Sequence, residues 1–588
     1  TIFTGRVTGN NSGSVVKDGA GTLTLANTNN EVGPTGGVFF INNGTLALGT
    51  NNALAARPVV VNGGTLDIST FTNTVSAVTL TNGTISGSSG VLTGSSFASG
   101  GENLTNTFSA NLAGSGGVAL TGNSNTTVLS GSNTYSGINS LNDGAAGTNM
   151  TLRVTSVAAL SSNSSLLGAS ALARIPTLDL ATNGAYTMNS YQGGNIIFLA
   201  TNGAATLSFT NTSTGNSSIE GSRYLYATNV GLTFAGGIDI SPTTTDKSFG
   251  FRGNGDYTFS GSIVTTNTTY TAGIAVETTG VVALNASNNY NGTTTVASNA
   301  TLLLGNNYAL GSTNNGTTVF FGGVLDLGGR SVSDEALLIE GTGVSSGGAM
   351  KNSSASGASF TGAITLSNAT TIATTNGNIT LSGAIGDAAA ARTLTKTGSS
   401  TLTLSGADAN TYTGLTTVSG GTLQLNKTAG VNALASTNIT VNSGATLLLS
   451  TNNQVADTSA ITLSGGTITR GSGVSEVFGN LDLSAGSFLE FGTGDVGTLS
   501  FGTYTPSSLL TVQNFLPGNT LTFGSDLSST INNQSFFSFS GDFTSSWSTG
   551  TFTITAIPET STVMAAIGLV GLCLWPLRRR VWSLARRA

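Results

Sequence analysis

The feature that most constrains this chain is a short phrase that returns at nearly constant steps. Gly21-Thr22-Leu23, Gly44-Thr45-Leu46, Gly64-Thr65-Leu66 and Gly83-Thr84-Ile85 start 23, 20 and 19 residues apart. A second run, Thr401-Leu402, Thr422-Leu423, Thr446-Leu447 and Thr467-Ile468, advances by 21, 24 and 21. Within the copies leucine alternates with small polar or other residues, as at Leu23 and Leu25, Leu46 and Leu48, Leu402 and Leu404, and Leu423 and Leu425. That alternation is the period of a half-buried strand. Asn62-Gly63-Gly64, Asn82-Gly83 and Ser419-Gly420-Gly421 supply turn signals between the strand patterns. A repeat of this length marks an architecture in which stacked neighbours bury what one unit cannot bury alone. One coil of a parallel β-helix fits it, with two or three short strands, Gly and Asn at the corners and Thr facing out. At roughly 22 residues per coil, residues 1–470 make ~20 coils.

Composition agrees. Of 588 residues only 44 are charged, 19 basic and 25 acidic, against roughly a quarter in an ordinary globular chain. Apolar residues make up 38 %, so the chain does not have the low hydrophobicity and high net charge of disorder. Glu, Lys, Arg and Gln, which usually cover helix surfaces, are scarce, while Thr, Val, Ile and Leu favour strands. A flexible linker does not place leucine at alternating positions over hundreds of residues. A string of β-sandwich domains is the competing all-β arrangement.

Several chemistries are excluded outright. There is no histidine, hence no Ser-His-Asp or Cys-His machinery and no His-ligated zinc. Cys573 is the only cysteine, which rules out an internal disulfide and any multi-cysteine metal site. The tail holds five of the 19 basic residues, leaving 14 basic against 25 acidic in the first 577. A thinly charged, net-acidic body is a poor partner for nucleic acid.

The longest local pattern runs from Lys396-Thr397-Gly398-Ser399-Ser400-Thr401-Leu402-Thr403-Leu404 through Asn410-Thr411-Tyr412-Thr413-Gly414 to Gly421-Thr422-Leu423. Partial copies stand at Lys17 to Leu25, at Leu129 to Gly137 with Asn133-Thr134-Tyr135-Ser136-Gly137, and at Val281 to Leu304 with Asn289-Tyr290-Asn291-Gly292. This resembles the autotransporter-associated β-strand repeat of bacterial surface proteins, and the resemblance implies a right-handed parallel β-helix. Residues 1–470 form the expected repeat region, with weaker repeats over 150–275. Residues 471–556 differ: ten of the 26 phenylalanines fall between Phe488 and Phe552, the texture of a C-terminal cap over the last coil. Simply broader coils are the other reading of that stretch.

The end of the chain, residues 557–588, carries a further signal. Ile557-Pro558-Glu559-Thr560-Ser561-Thr562 leads into an apolar run from Val563 to Leu577, followed by Arg578-Arg579-Arg580. This order resembles the PEP-CTERM sorting tail of Gram-negative bacteria, with Pro558, Glu559 and Thr560 on the motif and Thr560 in place of the usual second proline. The resemblance implies an exosortase-type membrane protease as partner. Fifteen apolar residues at 1.5 Å rise reach about 22 Å, short of a ~30 Å hydrocarbon core. Residues 563–577 are therefore expected as a short transmembrane helix, with Arg578, Arg579 and Arg580 as a cytoplasmic anchor and the body outside. The chain opens on Thr1 without a signal-peptide pattern, as after removal of an export signal or in a fragment.

Parallel β-helices also host polysaccharide hydrolases and lyases, which need carboxylates held together on one face. The tightest acidic group is Asp334-Glu335 with Glu340, after Asp326 and Arg330. Adjacent strand residues point to opposite faces, so a solvated loop is expected there. Asp239 and Asp246 flank a Pro/Thr loop. Gly253-Asn254-Gly255-Asp256 and Gly492-Thr493-Gly494-Asp495 are similar to calcium-loop spacing but do not continue as stacked calcium coils do, so turn glycines account for them. An outer-membrane barrel does not fit between the last clear repeat and the tail.

The expected fold is thus all-β, a right-handed parallel β-helix (solenoid) with a C-terminal cap and a single short C-terminal transmembrane helix. The expected protein is exported, passes through an inner-membrane intermediate, and ends at the cell surface or in the extracellular matrix of a Gram-negative bacterium. Its work there is structural or adhesin-like, without catalysis, metal or cofactor. The alternative is a polysaccharide-binding or polysaccharide-degrading β-helix, with extracellular polysaccharide as partner.

Overall fold

The structure, a computed structural model, describes residues 1–33, 35–141, 149–169, 175–214, 223–388, 390–492 and 496–557. Among them the only helical pieces are single 3-10 turns, Val157–Ala159 and Val344–Ser346. Everything else regular is strand, wound into an all-β parallel solenoid of about 22 turns. Two compact units share these turns: Thr1–Thr318 with Gly323–Leu325, and Val319–Gly322 with Asp326 onward. Each coil returns the chain to the same sheet in the same direction. Its strands therefore pair in parallel with the coils before and after, and their backbone groups are satisfied by those neighbours.

In the first unit the recurring phrase lies in register. Thr22 stands opposite Thr45, Thr45 opposite Thr65 and Thr65 opposite Thr84. The inward column beside it runs Leu23, Leu46, Leu66, Ile85, Phe108, Leu129, Val154, Leu180. All of these are buried except Leu23, which has only Ile2–Phe3 stacked beyond it. Burying one such side chain stabilises by roughly 1.5–3 kcal/mol, and the column repeats that gain coil after coil. At an exposed corner the polar residues form their own ladder. Asn42 donates to Asp18 (3.0 Å), Asn62 to Asn42 (3.2 Å) and the Thr81 hydroxyl to Asn62 (2.9 Å).

The stretch with the weaker sequence period builds the same ladder from larger residues. Met188, Phe209, Phe234, Phe259, Leu284 and Leu304 stack inward in successive coils. The rings of Phe209 and Phe234 lie 5.1 Å apart, and those of Phe234 and Phe259 lie 4.9 Å apart and nearly parallel.

In the second unit Ile379, Leu402, Leu423, Leu447, Ile468, Leu489, Val512 and Phe539 form one inward column. The aromatic-rich stretch continues this ladder through Phe537–Phe539. Phe478, Phe501 and Phe523 stack beside it, at 5.2 and 5.7 Å. Apart from single antiparallel bridges at Ala169–Asn195 and Asn442–Gly465, pairing among the described strands reverses at the end, where Thr551–Ala556 runs antiparallel to Thr520–Phe523 and Phe543–Ser548 antiparallel to Thr551–Ala556. This hairpin sets Phe552 opposite Phe523 and Ile554 opposite Leu521 and covers the edge of Thr520–Phe523, leaving the largely exposed Phe543–Ser548 outermost. Residues 558–588, with the expected transmembrane segment 563–577, lie outside the described residues. Among the described residues no helix is long and apolar enough to cross a membrane.

Candidate functional site

The residues that give the repeat its signature meet at the coil corners. Lys396 points inward at the end of Leu394–Thr397 and is buried. Its Nζ donates to the carbonyls of Gly398 (2.6 Å) and Ser400 (2.7 Å) in its own coil and of Gly420 (2.6 Å) in the next. Lys17 repeats the arrangement, donating to Asp18 (3.2 Å), Gly19 (2.7 Å) and Asn43 (2.9 Å). Burial pushes the Lys396 amine down to about 8, so at neutral pH it keeps the charge and all three N–H donors. The glycine after each cage is required twice over. Gly44 and Gly421 have φ of +66° and +59°, and a Cβ there would stand 2.7 Å from Lys17 Nζ or 2.6 Å from Lys396 Nζ.

A buried asparagine holds three coils together. Asn410 accepts from the Ile385 N–H of the preceding coil (2.9 Å) and donates to the Ala433 carbonyl of the following one (2.7 Å). Asn288 does the same with Ile263 (2.7 Å) and Ala309 (2.6 Å), and Asn133 with Leu112 (2.8 Å) and Ala159 (2.6 Å). Asn30 joins Val7 and Ala53, both at 2.9 Å. Two residues on, Tyr135, Tyr290 and Tyr412 are fully buried. Their hydroxyls pair with the side chain four residues further: Asn139 (2.9 Å), Thr294 (2.6 Å) and Thr416 (2.9 Å). At Asn30 that place is taken by Val32, which has no hydroxyl to satisfy.

The acids singled out in the sequence serve as local caps. Asp326 is buried beside Lys351 (3.6 Å) and accepts the N–H groups of Gly328 (3.1 Å) and Ser353 (3.0 Å). Glu340 accepts from the Phe321 N–H and the Ser367 hydroxyl, both at 3.2 Å. Asp239 accepts the Ser241 N–H (2.9 Å). Asp246 accepts Thr271 N–H and Asp256 accepts Val281 N–H, each at 2.7 Å and each from the next coil. The solvated loop expected at Asp334-Glu335 holds only for Asp334, which is exposed. Glu335 is 2 % exposed, because the backbone here enters the Leu337–Gly341 strand with alternate residues facing in. Gly253 and Gly255 are packed against Ala227 and Val230 of the preceding coil. Residues 493–495 of the other glycine-aspartate segment lie outside the described residues, as do Pro558, Glu559, Thr560, Arg578, Arg579 and Arg580. Among the described residues no three His, Cys, Asp or Glu side chains are grouped to hold a metal.

Sequence reading passed over two further places. Glu476 is buried and receives the N–H groups of Gln454 (2.6 Å), Val455 and Val477 (both 3.3 Å). Burial outweighs those bonds and lifts its carboxyl to about 7. On the outer face of the first unit, Tyr224, Tyr226, Arg252 and Glu277 come together from three successive coils. Tyr226 stands opposite Arg252, and Arg252 opposite Glu277. The guanidinium lies 3.5 Å from the Tyr224 ring centre, Nε pairs with Glu277, and Nη1 donates to the Tyr226 hydroxyl (2.8 Å).

Residues 15–48 and 394–425 match the passenger-associated-transport-repeat family, and these are the two segments built around Lys17 and Lys396. No curated protein and no solved structure matches the chain significantly.

Proposed function

We propose that this chain is an exported protein of the bacterial surface or extracellular matrix whose solenoid serves as a structural, adhesin-like wall. The observation that carries the reading is the pair of passenger-associated-transport-repeat matches, at residues 15–48 and 394–425, in a parallel solenoid. Such repeats accompany exported passenger domains. The motif side chains also favour a scaffold over a catalyst: Lys396 and Asn410 are consumed in contacts between coils and the buried Tyr412 hydroxyl in one with Thr416. Asp326, Asp246 and Asp256, among the acids available for hydrolysis, instead cap N–H groups of their own or the next coil. In this reading the coils wind right-handed, the body is not an enzyme, and residues 557–588 are a sorting tail. Its 563–577 segment holds the chain in the inner membrane until an exosortase-type protease cuts near Pro558-Glu559.

Surface extraction followed by mass spectrometry of the C-terminus tests the sorting step. The expected product ends near Pro558, and Pro558→Ala with Glu559→Ala leaves full-length chain in the inner membrane. Recovery of peptides covering Trp582 to Ala588 from the cell surface would overturn it. A second reading, polysaccharide binding, is favoured by one feature, the Tyr224–Arg252–Glu277 cluster on the wall. A reducing-sugar release assay separates binding from degradation, and no release is expected.

A further inference from the structure

We propose that the outer face formed by Tyr224, Tyr226, Arg252 and Glu277 is a binding site for a neutral polysaccharide chain. The proposal rests on the second reading above and is independent of the sorting step.

Its first support is where these side chains stand. Tyr226, Arg252 and Glu277 occupy one column of the sheet, and Tyr224 stands opposite Gly250 in the next. In the Tyr224 column the next coils carry Ala275 and Thr295, whereas Ile197 stands opposite Tyr226 and another ion pair, Arg153–Asp179, lies on the same ladder in earlier coils. What sets this patch apart is two tyrosines packed on and beside an ion pair, in a chain so poor in charge. Three strands at parallel-sheet spacing make the column about 10 Å long, enough for two sugar rings.

The second support is preorganisation. Tyr224 is laid down against Gly250, where a Cβ would stand 2.5 Å from the ring. Arg252 is fixed on three sides by the Tyr224 ring, the Tyr226 hydroxyl and Glu277. Little side-chain freedom remains to be lost when a ligand arrives. Yet the Arg252 and Glu277 side chains each keep 32 % of their exposure.

The third support is chemistry. A guanidinium beside a carboxylate offers donors and acceptors side by side, which matches two neighbouring hydroxyls of a sugar. Tyr226 adds a half-buried aromatic ring with a polar end, suited to the apolar face of a pyranose. The Arg252–Glu277 pair carries no net charge and stands on a wall with few cations. An acidic polymer therefore gains nothing there, and a neutral one is the better fit.

Affinity electrophoresis of the full chain in mild detergent tests this, with soluble xylan, mixed-linkage β-glucan and dextran as neutral probes and alginate and pectate as acidic ones. At least one neutral polymer is expected to retard the protein and the acidic ones are not. Tyr226→Ala and Arg252→Ala should each weaken retardation by about tenfold, and Glu277→Gln by several-fold. Tyr308→Ala, at an exposed tyrosine outside the patch, should leave it unchanged. Circular dichroism checks folding, and Glu277→Gln, which keeps shape and bulk, decides the matter if either alanine variant unfolds. The proposal is overturned if no neutral probe retards the protein, if only acidic probes do, or if folded variants run like the parent. Surface delivery of Arg252→Ala should be normal, so a failure here is distinct from a failure of the sorting reading.

Discussion

Residues 394–425 and 184–284 reach the same parallel ladder by different means. The first segment stacks Leu402 on Leu423 and ties its corners with Lys396 and Asn410. The second stacks Phe209, Phe234 and Phe259, whose rings replace leucine and span more of the interior. Its coils between Ile197, Tyr226, Arg252 and Glu277 are longer than those of the Gly-Thr-Leu copies. Regular winding therefore requires in-register apolar columns and satisfied corners, and it leaves the identity of the apolar residue open. The Gly-Thr-Leu phrase is one solution among several.

The comparison can be broken most sharply at the phenylalanine column. Phe234→Ala removes a ring packed on both sides and should cost about 3–5 kcal/mol, read as a fall in the urea midpoint, whereas Leu423→Ala should cost about 2–5 kcal/mol. Equal midpoints for Phe234→Ala and the parent would show that the stack does not hold this stretch together. Lys396→Met strips three carbonyls of their shared donor inside a corner and should cost ~3 kcal/mol. Lys396→Arg should not rescue it, since the planar fork does not fit a cage built around one nitrogen.

Glu476 sharpens the contrast through pH. The folded chain holds its carboxyl proton up to about 7, from an ordinary value of 4.5. The stability this adds is complete below the ordinary range and is lost as pH rises through about 7. The urea midpoint should therefore fall between pH 5 and 8, and Glu476→Gln should flatten that slope whatever its constant offset. Asn410→Ala and Asn288→Ala should each cost about 2 kcal/mol, because both leave an N–H and a carbonyl of neighbouring coils unmatched. Asp334→Ala, on an exposed side chain whose φ of +59° suits aspartate better than alanine, should lower the midpoint by about 1 kcal/mol or less.

What the sequence made legible follows from how locally each signal is written. Thr22, Thr45, Thr65 and Thr84 could be aligned by eye because phrase and register share one period. The phenylalanine column was hidden, because Phe209, Phe234 and Phe259 recur without a common neighbouring phrase. Lys17 and Lys396 were visible as letters of the repeat, but nothing in the letters shows a lysine turned inward, against the usual exposure of that residue. The same holds for Glu335 and Glu476. Tyr226, Arg252 and Glu277 meet only because successive coils bring them into one column, and no local spacing marks that.

The asparagine clamp has a consequence for how such a gene can change. Asn410 reaches back to Ile385 and forward to Ala433, one coil each way and no further. A duplicated stretch that carries a whole coil with its own asparagine would bring every contact that coil needs, and a clean deletion would let the flanking coils close on each other. Inheritance can thus lengthen or shorten this wall in steps of one coil, while a loss of half a coil would break the register on both sides of the scar.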